Sequence, residues 1–184
     1  GIYLSDGFGV VSVYLIDRDA GDSNEFFLYL PFTAPHGPLQ AKQQDLARFS
    51  HINDSSGRPL AAMTFAMDRA VGGVLSALDA NGLSENTIVV FANDNGGSTS
   101  HDNSPLRGFK GSTWEGGIRV PFTVRAPGLQ PGISDAPVTT LDLLPTLVAA
   151  AGGDVAQLDT DGVDLMPFLS GSAPGDPHEV MHWR

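Results

Sequence analysis

The chain has 184 residues, is 41% hydrophobic and carries a formal net charge of −11, with 21 Asp and Glu against 10 Lys and Arg. That length supports one domain with a real core. The acidic balance excludes nucleic acid as a general partner, because phosphate backbones recruit basic surfaces, yet a few local cations and a metal can still hold a small anion in a pocket. The absence of cysteine removes disulfides, thiolate metal sites and cysteine nucleophiles from these residues. No apolar run approaches the roughly 18 residues of a membrane helix, and the start lacks the basic and apolar regions of a signal peptide. Gly1 stands where an initiator Met would be, which leads us to expect a processed or partial chain.

Residues 1–20 mix apolar and polar side chains, with a helix expected near Val10 to Arg18. Asp22-Ser23-Asn24 is a turn signal. Phe26-Phe27-Leu28-Tyr29-Leu30 is an aromatic-rich run that predicts a short buried strand ending at Pro31. Thr33 to Pro38 then form a proline-rich loop. From Gly57-Arg58-Pro59 onward, Leu60, Met63, Met67, Val71, Val74, Leu75 and Leu78 recur at helical spacing, and Asn81-Gly82 closes that helix. Ile88 to Ala92 predicts a second buried strand, followed by a long loop from Asp94 to Gly117. Val120 to Arg125 predicts a third strand with a proline near its start. Thr139 or Thr140 can cap a helix that runs to Ala151 and stops at Gly152-Gly153. Alternating strands and helices make this an α/β order.

Chemistry concentrates in the long loop. Asp94 and Asn95 follow a strand end, where ligands gather in open α/β sheets. A carboxylate beside a carboxamide suits a hard cation such as Ca²⁺ or Mg²⁺; the same dipeptide is also ordinary turn chemistry. Lys110 lies in Gly108-Phe109-Lys110-Gly111, where glycines admit a ligand close to the backbone and lysine offers a point charge to an anion, or is simply a solvated loop lysine. His36, in Ala34-Pro35-His36-Gly37-Pro38, is placed to donate to an anion or to act as a general acid, or is a surface histidine. His101 has weaker grounds, and His51, His178 and His182 have no supporting context. Asp68 and Arg69 can pair locally or with a neighbouring segment. Asp142 is expected to support its helix start, and Asn53-Asp54-Ser55 fits the glycosylation sequon.

Together these segments resemble the sulfatase family, arylsulfatase-like members of the alkaline-phosphatase-like superfamily. The resemblance rests on Phe26 through His36, Ile88-Val89-Val90-Phe91-Ala92-Asn93-Asp94-Asn95-Gly96-Gly97, Pro105-Leu106-Arg107-Gly108 through Pro121, Leu141 through Leu147, and Asp161-Gly162-Val163-Asp164-Leu165, in that order over nearly the whole chain. It implies an α/β three-layer sandwich, a mixed β-sheet flanked by helices, incomplete on its N-terminal side. Residues 1–184 would be the later part of a single catalytic domain, with 154–184 beginning the connection to a C-terminal subdomain. By position, the resemblance implies that Asp94 and Asn95 are ligands of Ca²⁺, with Mg²⁺ the alternative. It implies that Lys110 holds the sulfate group and that His36 contacts it and assists the leaving group. The substrate class would be an aryl or carbohydrate sulfate ester, hydrolysed by a metal-assisted covalent mechanism, and the location periplasmic, secreted or lysosomal.

Departures from the family pattern are specific. Sulfatases use a formylglycine made within Cys/Ser-x-Pro-x-Arg, and no such motif occurs here. Asn103-Ser104-Pro105-Leu106-Arg107 has Pro and Arg at the matching offsets but Asn at the modified position, and we read it as part of the lysine loop. The family's early Asp-Asp metal ligands and lysine–histidine pair are also missing. The expectation is therefore a chain that supplies metal- and sulfate-binding residues without the nucleophile, inactive in isolation. A phosphoester or phosphonate hydrolase of the same superfamily and a non-catalytic remnant are the alternatives.

Overall fold

The computed structural model describes residues 2–22, 24–99 and 101–183. They group into two compact units, Gly1–Thr87 and Ile88–Arg184.

The first unit is helical. Helix α1 spans Leu4–Asp19, beginning well before the expected Val10. Its buried face is Ser5, Gly9, Ser12 and Ile16, mostly small residues, so hydrophobic periodicity barely marks it. Small residues let two helices approach closely: a Cβ built on Gly9 would lie 2.9 Å from the Ala70 Cβ. Ala70 belongs to helix α3, Gly57–Ala80, which follows the short helix α2, Gln43–Arg48. Helix α3 closes at Asn81 as its sequence pattern predicts and buries Ala62, Met63, Ala66, Ala70, Ala77 and Leu78. Its first turn is capped by Asp54, whose carboxylate accepts from the amides of Ser56 and Gly57. Pro59 is harmless there, because first-turn amides have no intrahelical partner.

An ion network knits the three helices. Arg69 of α3 donates from Nη1 to Asp45 of α2 and from Nη2 to Asp6 of α1, both at 2.8 Å. Lys42 donates to the other Asp6 oxygen. Arg69 thus pairs with neighbouring segments, the second of the two outcomes its position allowed. Burial pushes the Asp6 carboxyl up, but hydrogen bonds from Lys42 and Arg69 outweigh it and hold the group below the usual carboxylate range. Hydrogen bonds to Asp45 and Asp6 raise the Arg69 guanidinium above its already high value.

The expected strand at Phe26 to Leu30 does not form: these residues carry no regular secondary structure. A strand needs a backbone neighbour to receive its amides and carbonyls, and no ladder is present at these residues. Phe27 and Tyr29 are 76% and 75% exposed, so the apolar run does not build a core here.

The second unit holds the sheet. Strand β1, Val89–Ala92, pairs antiparallel with β2, Phe122–Arg125, in the register Val89 with Arg125 through Ala92 with Phe122. Among the described residues this two-stranded antiparallel sheet stands in place of the expected mixed sheet, because no parallel neighbour joins it. Strand β2 starts after Pro121, which has no amide to give a ladder; the Pro121 carbonyl instead accepts from Asn93 at 3.3 Å. Helix α4, Glu115–Ile118, is a single turn between the strands.

Thr139 caps the turn Thr140–Asp142 in a capping box with Asp142, and helix α5 continues over Leu143–Ala150. Asp142 is fully buried. Besides the Thr139 amide, its carboxylate accepts from the Val163 amide at 2.9 Å and from His178 Nε2 at 2.8 Å. Thr146 donates to the Asp142 carbonyl at 2.6 Å and accepts from the Leu165 amide at 2.9 Å. The Asp-, Gly- and Pro-rich tail, with helix α6 over Met166–Leu169, is thereby tied to the start of α5. No helix among the described residues is long and apolar enough to cross a membrane.

Candidate active site

Strand β1 delivers Asp94 and Asn95 two and three residues beyond its last member, Ala92. Asp94 is exposed and Asn95 half-buried. Neither side chain has a hydrogen-bond or ion-pair partner among the described residues. The turn is fixed through its backbone: the Gly96 amide donates to the Gly117 carbonyl at 3.0 Å, and the Gly97 carbonyl accepts from the Lys110 amide at 2.8 Å. The strand end and the lysine loop therefore meet directly. The exposed Lys110 side chain likewise has no partner among the described residues.

The loop is closed by its own groups. Ser112 Oγ donates to the Phe109 carbonyl at 2.8 Å, and the Gly116 amide donates to the Arg107 carbonyl at 2.7 Å. Gly108 sits at φ +91°, a left-handed backbone that a β-carbon disfavours, and a Cβ there would also crowd Ser112 and Trp114. The Arg107 guanidinium carbon lies over the Trp114 ring, 3.9 Å from its centroid. Glu115 pairs loosely with Arg119 one turn on, at 3.6 Å.

Asn103 is the residue that sequence reasoning left inside the loop without a task. Its Oδ1 accepts from the Gly97 amide at 3.1 Å, and its Nδ2 donates to the carbonyls of Gly97 and Gly108 at 3.0 and 3.1 Å. No sequence signal marks it, because its partners are backbone atoms five and six residues away. His101 Nδ1 lies 2.7 Å from Ser98 Oγ, inside the same loop.

His36 belongs to the first unit. It is exposed, and Nδ1–H donates to the Gly37 carbonyl at 2.9 Å. That bond assigns the proton to Nδ1 in the neutral ring and leaves Nε2 as an acceptor. The Ala34–Pro35 and Gly37–Pro38 peptide bonds on either side are cis.

Asp94 and Asn95 offer the oxygen chemistry of a hard-cation site, and their lack of protein partners leaves those oxygens available. They fit such an ion as part of its shell. Ca²⁺ takes about six to eight oxygens, and no group of three or more His, Asp or Glu able to hold a metal occurs among the described residues.

Comparison with known proteins extends this picture. The crystal structure of Ps i-CgsB in complex with k-i-k-neocarrahexaose is 39% identical, with a TM-score of 0.89 over 96% of this chain and 40% of that one. Over that part, the chain shares the sulfatase and alkaline-phosphatase-like fold. The family model described as Sulfatase matches residues 11–153. This chain belongs to the sulfatase family. Human (Homo sapiens) Arylsulfatase A is 38% identical over 154 residues, covering 80% of this chain and 29% of that protein. Uncharacterized sulfatase YdeN of Escherichia coli (strain K12) is 31% identical over 98% of this chain and 33% of its own length. The chain thus spans about a third of the length of the curated relatives it matches.

Proposed function

We propose that these residues supply the cation- and anion-binding part of a site that hydrolyses sulfate esters. The observation that carries the proposal is the junction at Gly97. There the Asp94-Asn95 pair and Lys110, whose side chains have no partner among the described residues, are brought together by the Lys110 amide on the Gly97 carbonyl, in a chain of the sulfatase family. Asp94 and Asn95 would hold Ca²⁺, or Mg²⁺, by their side-chain oxygens. The ion would withdraw charge from the sulfate oxygens as sulfur is attacked. Lys110 would place a second positive charge on the same oxygens, one that binds more tightly as negative charge builds up. His36 would assist the departing alcohol oxygen as a general acid, the role the family resemblance implies. The attacking group would lie outside these residues, since they hold neither cysteine nor the Cys/Ser-x-Pro-x-Arg motif. A carbohydrate sulfate is the favoured substrate class, because the relative with 39% identity was crystallised with a neocarrahexaose.

The test offers nitrophenyl sulfate and nitrophenyl phosphate side by side to the complete gene product. The sulfate is expected to be the better substrate, a chelator to stop its turnover and Ca²⁺ to restore it. Faster phosphate release would favour a phosphoesterase of the same superfamily. Turnover indifferent to the chelator would remove the metal from the account.

A further inference from the structure

The lysine loop has a mechanical problem. Lys110 is exposed and no group among the described residues holds its ammonium, so the position of its charge depends on the backbone that carries it. That backbone is fixed on one side by the Lys110 amide on the Gly97 carbonyl. The Gly97 backbone is in turn held by Asn103, which both donates to its carbonyl and accepts from its amide. A side-chain carboxamide that exchanges both bonds with the N–H and C=O of one residue reproduces the hydrogen-bonded pairing of two antiparallel strands, using a side chain in place of the second strand. The same Nδ2 reaches the Gly108 carbonyl, two residues before Lys110. One half-buried side chain therefore touches both backbones: the turn that presents Asp94-Asn95 and the loop that presents Lys110.

We infer that Asn103 is the positioning residue that holds the Lys110 loop against the Asp94-Asn95 turn. This rests on the sulfate-ester reading above. The chemistry of the contact selects asparagine. Aspartate keeps the acceptor but loses both donors and puts a negative charge against two carbonyls. Serine has a single hydroxyl donor on a shorter arm. Gly97 is part of the same fit, because a Cβ there would lie 2.6 Å from Asn103 Oδ1 and 2.8 Å from the His101 Cβ. Asn103 stands two residues before Pro105 and four before Arg107, the offsets of the modified residue in the family's nucleophile motif, but it belongs to the lysine loop. Its hydrogen bonds explain its presence there without any nucleophilic role.

A double-mutant cycle and amide exchange on the complete gene product test the inference, with nitrophenyl sulfate as the probe. Asn103→Ala is expected to lower kcat/KM about 10- to 100-fold, as misplacement of a charge would. In a Lys110→Ala background the same change is expected to cost less than about twofold, because there is no longer a charge to position. Losses that multiply in full would instead mean general damage and overturn the inference. Hydrogen exchange provides a readout independent of catalysis: Asn103→Ala should remove protection at the Gly97 and Lys110 amides. If Asn103→Ala does not fold, Asn103→Asp serves, with protection expected to survive at Gly97 and to fall at Lys110. Unchanged protection at Lys110 in either variant overturns the positioning role. A wild-type protein inactive on both nitrophenyl sulfate and a sulfated oligosaccharide would contradict the sulfatase reading, and the exchange result alone would then decide whether Asn103 holds the loop.

Discussion

Single side chains in this protein act mainly by gripping backbone or by closing ion networks. Asp6 shows the second case. Its carboxyl is held below the usual range because hydrogen bonds from Lys42 and Arg69 exceed the cost of burial. A depressed carboxylate stabilises the fold at any pH above its unfolded value, about 3.9. That contribution disappears as pH falls through the lower folded value. Urea unfolding of the first unit, followed from neutral pH down to about pH 3, should therefore show a steep acid loss, and Asp6→Asn should flatten it. Asp142 shows how far the sequence could be read at this scale. Its support of a helix start was legible from a threonine three residues upstream. Its grip on Val163 and His178 was not, because those partners lie 21 and 36 residues away. His178 looked unsupported in the sequence for the same reason. Asp94, Asn95, Lys110 and His36 stand out by loop position and residue type, which is local information, but only the resemblance to the family assigns them roles. Asn103 required the path of the backbone.

At the scale of elements, legibility followed the strength of the pattern. Helix α3 was readable because its apolar residues recur over many turns and Asn81-Gly82 ends them. The first half of α1 was not, since its inward face is Ser5, Gly9 and Ser12. That face predicts its own sensitivity: the 2.9 Å approach at Gly9 leaves no room for a branched side chain against Ala70. Gly9→Val should destabilise the first unit by about 1–3 kcal/mol, seen as a lower urea midpoint with an unchanged slope. Strand β1 formed almost as expected, and β2 lost its first residues to Pro121. The Phe26–Leu30 run carried a strand-like composition but has no ladder partner, and composition cannot supply one.

The whole molecule joins an acidic surface to a locally cationic purpose. A net charge of −11 repels a free anion at long range. On the proposed function, sulfate binding would rest on short-range groups: the Lys110 ammonium and a cation at Asp94-Asn95. The fold joins the backbones that carry Asp94-Asn95 and Lys110 at Gly97, and the proposed function would give that junction a reaction. Steady-state kinetics of the complete gene product on nitrophenyl sulfate, with Asp94→Ala and Lys110→Ala, test this most directly. Both variants should lose about 100-fold or more in kcat/KM with little change in melting temperature. Added Ca²⁺ should recover part of the Asp94→Ala loss and none of the Lys110→Ala loss. Variants within about threefold of wild type, a change too small for the loss of a transition-state contact, would contradict the account.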